Sequence, residues 1–259
     1  ALPSQTFLED AELAHYLKRV LRLGKGSRLM VAFSDWEVAY LAEIEALSAS
    51  HVQLLVQTPM AAAPLKQFLP HIALGAALIK EHRWDLLLQK TTELGVRQIY
   101  PLKTERTVVF SKNMDHKMSR WQGILRAAAA QSKGLYIPTL HSPQALDDFL
   151  ASASNVSDKN TLKLVLCERT AKADGPVPML VNVLRPWRQQ WLTQQSEVTD
   201  PVVSPCVVAM IGPEGGWTDA EVAQMQQCGY QPVSLGSRIL RSETAAMHLI
   251  SAVLYECST

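Results

Sequence analysis

The stretch Val207-Val208-Ala209-Met210-Ile211-Gly212-Pro213-Glu214-Gly215-Gly216-Trp217-Thr218-Asp219-Ala220-Glu221 decides how this chain is read. Its opening five residues are continuously apolar, as expected of a strand covered on both faces. Thr218 and Glu221 have the spacing of a capping box and predict a helix start. Gly229 marks that helix's end. The glycine-rich turn therefore lies at the carboxyl end of a strand and just before a helix, the position where α/β proteins bind ligands. Gly215 and Gly216 allow positive φ and close backbone approach. Taken alone, the same segment also suits a turn needed only for topology.

Common nucleotide motifs do not fit. The chain has no G-x-x-x-x-G-K-[ST], and Gly212-Pro213-Glu214-Gly215-Gly216 is not G-x-G-x-x-G. Pro213 also removes an N–H that a phosphate cradle would use. A second strand-to-helix loop follows: Pro232-Val233-Ser234-Leu235-Gly236 leads into Ser237-Arg238-Ile239-Leu240-Arg241-Ser242-Glu243-Thr244, with a helix expected to about Glu256. The two loops are expected side by side on one sheet edge. Ile239 and Leu240 suit the walls of an adenine pocket, and an arginine suits an anionic or electron-rich substrate. Singly, each of these charges reads as a structural ion pair.

Working outward, residues 71–259 alternate strands and helices. Strands are expected at His71–Leu78, Val96–Leu102, Leu162–Cys167 and Val207–Ile211, and helices at Trp84–Leu94 and Met114–Ser132. That rhythm predicts a parallel sheet with helices on both sides. Residues 1–70 carry one amphipathic helix, Leu8–Val20, then short apolar runs at Arg28–Phe33, Val38–Ile44 and His51–Gln57, which read as a small barrel. Pro59, Pro64 and Pro70 punctuate an expected linker, and Gln194–Pro205 is expected to be an exposed excursion.

The 259 residues, 47% of them hydrophobic, suffice for one large domain or two modest ones. No apolar run is long enough to span a bilayer, and no secretion signal is expected at the start, so no membrane partner is expected. Cys167, Cys206, Cys228 and Cys257 are scattered without metal-ligand spacing, so no metal is expected; free thiols favour a reducing cytoplasm. The net charge of +1 hides an imbalance. Lys80, Arg83, Lys90, Arg97, Lys103, Arg106, Lys112, Lys117, Arg120, Arg126 and Lys133 face only Glu81, Asp85, Glu93, Glu105 and Asp115 over the same span. This is either a phosphate-facing surface or a set of solvated helix faces.

Five ordered segments together resemble one family. They are Ile211–Gly216, Leu235–Ala245, Thr92-Glu93-Leu94-Gly95-Val96, Leu102-Lys103-Thr104-Glu105-Arg106-Thr107 and Ala129-Ala130-Gln131-Ser132. The family is that of the bacterial ribosomal small-subunit RNA uridine-N3 methyltransferases of the SPOUT superfamily, and the likeness spans essentially the whole chain. It implies a PUA-like RNA-binding domain over 1–70 and an α/β methyltransferase domain with a trefoil knot over 71–259. It also implies S-adenosylmethionine as cofactor, a homodimer formed through the knotted domain, and 16S ribosomal RNA or the small subunit as partner. By matching motif positions, Leu166, Ile211, Gly212, Gly216, Leu235, Gly236, Ile239 and Leu240 would surround the cofactor. The family's Glu-Gln-Ser-x-Arg segment reads Ala130-Gln131-Ser132-Lys133-Gly134 here, so Lys133 would stand in as a point charge without arginine's fork.

The chemistry such a reaction needs suggests further roles. Uridine N3 carries a proton at neutral pH, so its anion must be stabilised. Arg241 and Arg106 are the candidates for the uracil carbonyl oxygens, and Glu214 is a candidate for taking the proton or, preferably, for ordering its loop. Lys18, Arg19 and Arg22, joined by Lys80 and Arg106, are the candidate RNA contacts, with Lys18 and Arg22 expected on one helix face. A noncatalytic ribosome-assembly factor, or a knotted methyltransferase acting on another RNA, are the competing expectations.

Overall fold

The computed structural model describes residues 5–31, 39–59, 70–107, 114–153, 161–167, 177–196 and 206–258. The chain divides into two compact units, Ala1–Pro64 and Leu65–Thr259. The expected boundary after residue 70 adjoins 60–69, which lie outside the described residues, as do 197–205 of the expected excursion.

In the first unit, β1 (Gln5–Glu9), β2 (Arg28–Val31), β3 (Tyr40–Leu47) and β4 (His51–Pro59) form an antiparallel sheet in the order β1-β4-β3-β2. Ala42, Ile44, Val52 and Leu54 pack there with Ala14 and Leu17 of the helical segment. The helix does not begin at Leu8 as expected. Leu8 pairs with Val52 in β1, and Asp10 ends the strand by accepting the Leu13 N–H at 2.9 Å. An aspartate N-cap thus resets the start to Ala11, and α1 (Ala11–His15) runs into a wide π turn, Tyr16–Val20.

That turn also corrects the expected Lys18–Arg22 face. The helical segment stops at Val20, and Arg22 adopts φ +55 beyond it. The Leu23 N–H reaches back to the Leu17 carbonyl at 2.9 Å. Arg22 is therefore a left-handed closing residue, and it does not share a helical row with Lys18.

In the second unit, β5 (His71–Ala77), β6 (Gln98–Lys103), β7 (Thr139–Leu140), β8 (Gln144–Ala145), β9 (Thr161–Leu166), β10 (Cys206–Ile211) and β11 (Gln231–Val233) form one sheet. Its order is β11-β9-β10-β5-β6-β7, with β8 also on β6, and every pairing is parallel. Strand alternation sends Val207, Ala209 and Ile211 to one face, where they meet α2 (Glu81–Glu93), α3 (Met114–Gln131), α5 (Leu180–Ser196) and α7 (Ser242–Ser258). Met210 and Val165 point to the other face, against α4 (Leu146–Ala153) and α6 (Asp219–Gln227). Each fully buried aliphatic residue in these layers contributes about 1.5–3 kcal/mol. Gln194, expected in an excursion, instead lies in the last turn of α5.

The two loops are expected side by side, but the sheet order does not make their strands neighbours. β9 stands between β10 and β11, so the strands that carry the loops are not neighbours. Sheet order is set by long-range pairing and not by succession along the chain.

Candidate functional site

The loop after β10 is held by its own backbone and by its neighbours. The Gly216 N–H donates to the Pro213 carbonyl at 2.9 Å, and Gly216 takes φ +67. Gly212 lies beneath the Trp217 indole, which a Cβ at Gly212 would meet at 3.2 Å. The expected capping box is formed: Glu221 N–H donates to Thr218 Oγ1 at 3.2 Å, and Thr218 N–H donates to Glu221 Oε2 at 2.8 Å. Asp219 and Glu221 also stand where the positive end of the helix dipole favours acids.

The loop after β11 turns at Gly236, with φ +129, while the Ser234 hydroxyl accepts the Gly236 N–H at 3.2 Å. At the start of α7, Ser242 donates its hydroxyl to the Gly212 carbonyl at 2.8 Å. The two loops are thus joined although their strands are not.

A third segment closes on them. In the turn Thr104–Thr107, the Thr107 N–H donates to the Thr104 carbonyl at 3.1 Å. Glu105 N–H donates to Glu221 Oε1 at 2.9 Å. Arg106 lies across Gly215 and donates from Nη1 to the carbonyls of Gly215, at 2.7 Å, and Trp217, at 3.3 Å. On the far side, Glu214 Oε1 accepts the Lys80 N–H at 3.3 Å and lies 3.5 Å from Arg83 Nη1, while Arg83 Nε is 4.0 Å from Glu243 Oε1.

These loops and the end of β9 line a cleft of about 1050 Å³. Leu166, Ile211, Gly212, Gly216, Leu235, Gly236, Ile239 and Leu240 all line it, as does Arg106. Glu214, Lys80 and Arg241 are not part of its lining. Arg241 is exposed at the N-terminal end of α7, its carbonyl accepting the Ala245 N–H at 2.8 Å. Lys18 and Arg19 are exposed on the π turn of the first unit, and Lys80 is exposed in the second.

Residues not anticipated also line the cleft, among them Trp217, Cys167, Tyr230, Arg238 and Ser242. Arg238 and Ser242 sit inside the second loop and were legible from its spacing; Cys167 and Tyr230 needed the sheet order. Burial pushes the Cys167 thiol up to about 11. Burial, with Cys228, Tyr100 and Cys206 adding, also raises the Tyr230 phenol. The Trp217 Nε1 and Tyr230 hydroxyl are buried without a hydrogen-bond partner.

Part of the basic excess between residues 80 and 133 is consumed locally. Lys90 pairs with Glu93 at 2.9 Å, Arg120 with Glu81 at 2.7 Å and also with Asp85, and Arg97 lies 3.6 Å over the Tyr136 ring. Lys133 closes α3 with φ +55. Among the described residues no cluster of three or more His, Cys, Asp or Glu side chains could hold a metal, and no helix is long and apolar enough to cross a membrane.

Comparison with known proteins fits this arrangement. The RNA methyltransferase domain family matches residues 67–254, and the RNA methyltransferase PUA domain matches residues 8–57. The ribosomal RNA small subunit methyltransferase E of Synechocystis is 36% identical over 251 residues, covering 95% of this chain and 73% of that protein. A methyltransferase of Legionella pneumophila, solved with bound S-adenosylmethionine, is 30% identical with a TM-score of 0.73, covering 98% of this chain and 93% of that one. The ribosomal RNA small subunit methyltransferase E of Neisseria gonorrhoeae, also solved with S-adenosylmethionine, is 25% identical with a TM-score of 0.73, over 97% of this chain and 92% of that one. With a PUA-type sheet followed by a parallel sheet whose loops enclose one cleft, the chain belongs to the RNA methyltransferase family that includes the ribosomal RNA small subunit methyltransferase E proteins.

Proposed function

We propose that the chain transfers a methyl group from S-adenosylmethionine to N3 of a uridine in 16S ribosomal RNA. The single observation carrying this reading is the convergence of both glycine loops and Arg106 on one cleft. The cleft fits the cofactor chemically. An added Cβ at Gly216 or Gly236 would stand in open space, so the bare backbone faces the volume a ligand would fill. Ile239, Leu240 and Leu235 offer apolar walls for an adenine, and the unpartnered Trp217 Nε1 is a donor in want of an acceptor.

Bound there, S-adenosylmethionine supplies a sulfonium methyl for in-line displacement. The chain's part is alignment, which can be worth about 7–11 kcal/mol of barrier, and charge. Water takes the N3 proton, and the resulting anion, its negative charge spread onto the uracil carbonyl oxygens, attacks the methyl carbon as the C–S bond breaks and the sulfur leaves as a neutral thioether. Arg106, already tethered to the Gly215 and Trp217 carbonyls, is held where such an oxygen can approach the cleft. Arg241 is exposed at the adjacent helix start and free to approach from the RNA side. Glu214 acts as the loop's anchor through Lys80 and Arg83.

Lys18, Arg19 and Arg22 of the first unit, with Lys80, contact RNA phosphates; binding then weakens as salt rises. A homodimer through the second unit is supported by two exposed apolar side chains, Ile239 at 80% and Tyr255 at 72%. A knotted chain path is supported by the excursion from β10 past β9 to the edge at β11 and the return of α7 onto β10. A ribosomal RNA substrate is met in the cytoplasm. Tritiated S-adenosylmethionine incubated with the chain and small-subunit RNA tests the reaction: label in 3-methyluridine supports it, and RNA binding without label contradicts it.

A further inference from the structure

We infer that Glu221 is a positioning residue for methyl transfer, acting through Arg106. The inference rests on the assignment of Arg106 to the uracil carbonyls made above.

The Glu221 side chain does more than a helix cap requires. It is buried, at 8% exposure. Oε2 serves α6 by accepting the Thr218 N–H at 2.8 Å and lying 3.2 Å from the Thr218 hydroxyl. Oε1 serves another segment, accepting the Glu105 N–H at 2.9 Å across 116 residues of sequence. The turn that Glu105 belongs to is closed on itself: the Thr104 N–H donates to Thr107 Oγ1 at 3.0 Å, and the two threonine hydroxyls are 2.9 Å apart. Fixing the Glu105 N–H therefore fixes the backbone of Arg106. The Arg106 side chain then returns to the same stretch from the other side, through the Gly215 and Trp217 carbonyls. Arg106 is thus clamped at both ends by the segment Gly215–Glu221, and Glu221 is the backbone half of the clamp.

A carboxylate is needed for both contacts. Its two oxygens both accept, whereas a glutamine has one accepting oxygen and one donating nitrogen. Glutamine is an ordinary capping-box residue, so Glu221→Gln keeps the helix start and presents an N–H₂ to the Glu105 N–H. Glu105→Pro removes that donor from the opposite side and leaves the capping box intact, at a turn position that accepts proline.

The test is a double-mutant cycle in the methyl-transfer assay at saturating S-adenosylmethionine, with cofactor affinity from calorimetry and melting midpoints measured in parallel. Glu221→Gln is expected to lower kcat by about 10- to 100-fold, the scale of a misplaced group near 1 Å, with cofactor affinity nearly unchanged and melting lowered only by the cost of one lost buried hydrogen bond. Glu105→Pro is expected to match it. In an Arg106→Ala background neither change should lower kcat further. Equal loss in both backgrounds, or an unchanged kcat in Glu221→Gln and Glu105→Pro, overturns the inference. If Arg106→Ala alone leaves kcat unchanged, the assignment of Arg106 to the uracil fails first, and the two failures are told apart by that single variant.

Discussion

Ser242 donates its hydroxyl to the Gly212 carbonyl across 2.8 Å and so ties the loop after β10 to the start of α7, although β9 separates the two parent strands. Removing it leaves a half-buried carbonyl beside the cleft with one fewer donor. Ser242→Ala is expected to cost about 1 kcal/mol of stability and to weaken S-adenosylmethionine binding. Chemical denaturation and calorimetry check both; unchanged affinity would show that the loops hold together without this bond.

The glycines of the two loops make separable predictions. Gly216 has φ +67 and Gly236 φ +129, and neither has an atom within 4 Å of a built Cβ. Alanine there meets backbone strain and no clash. Gly216→Ala is expected to cost about 1–2 kcal/mol; Gly236→Ala is expected to cost more, because its φ lies far outside the left-handed well that side-chain-bearing residues visit. Denaturant midpoints measure the order. An alanine at Gly236 that is the milder of the two would contradict it.

The Cys167 thiol lines the cleft and burial pushes it up to about 11. The thiolate is the reactive form, so alkylation should be slow at neutral pH and accelerate about tenfold per pH unit as pH rises towards that value. Saturating S-adenosylmethionine should slow it further. Iodoacetamide labelling followed by peptide mass spectrometry reads both; a thiol that reacts equally fast with cofactor present would remove Cys167 from the cofactor's surroundings.

At Lys133 the backbone matters as much as the charge. Its N–H reaches the Ala130 carbonyl at 3.3 Å, Gly134 N–H reaches Ala129 at 2.8 Å, and Lys133 itself takes φ +55. This is a Schellman closure with lysine where glycine is favoured. Relief of about 1–2 kcal/mol of left-handed strain is partly offset by the greater freedom of an unfolded glycine, about 0.5–1 kcal/mol. Lys133→Gly is expected to stabilise the protein by about 0.5–1 kcal/mol, read from denaturation. A fall in RNA affinity in the same variant would assign the lysine charge to RNA as well.

Local features were legible and long-range ones were not. The Thr218–Glu221 box, the Gly229 closure with φ +86 and the buried β10 run follow from neighbouring residues, and each stands where spacing puts it. The Asp10 cap was also local, but an apolar run from Leu8 masked it. The order β11-β9-β10 depends on pairings between distant segments, so succession along the chain does not show that β9 stands between the strands carrying the two loops. The charge that the reaction must stabilise points to Arg106, but its bond to Gly215, 109 residues away, carries no signal in spacing. Arg83, which pairs with Glu214 and faces Glu243, was hidden among ordinary helix charges.

Arg241 is exposed beside the second loop and outside the cleft's lining. If it meets the substrate and not the cofactor, Arg241→Ala should lower kcat by at least about 100-fold, the scale of losing one transition-state donor, while S-adenosylmethionine affinity is preserved. Equal loss of both would make it a structural part of the loop.

The most direct measurement is nucleoside mapping of small-subunit RNA from cells deleted for this gene. One uridine should lose its N3 methyl group, and the wild-type chain should restore it where Arg106→Ala and Arg241→Ala do not. A small-subunit RNA whose methylated uridines are unchanged by the deletion would contradict the assignment.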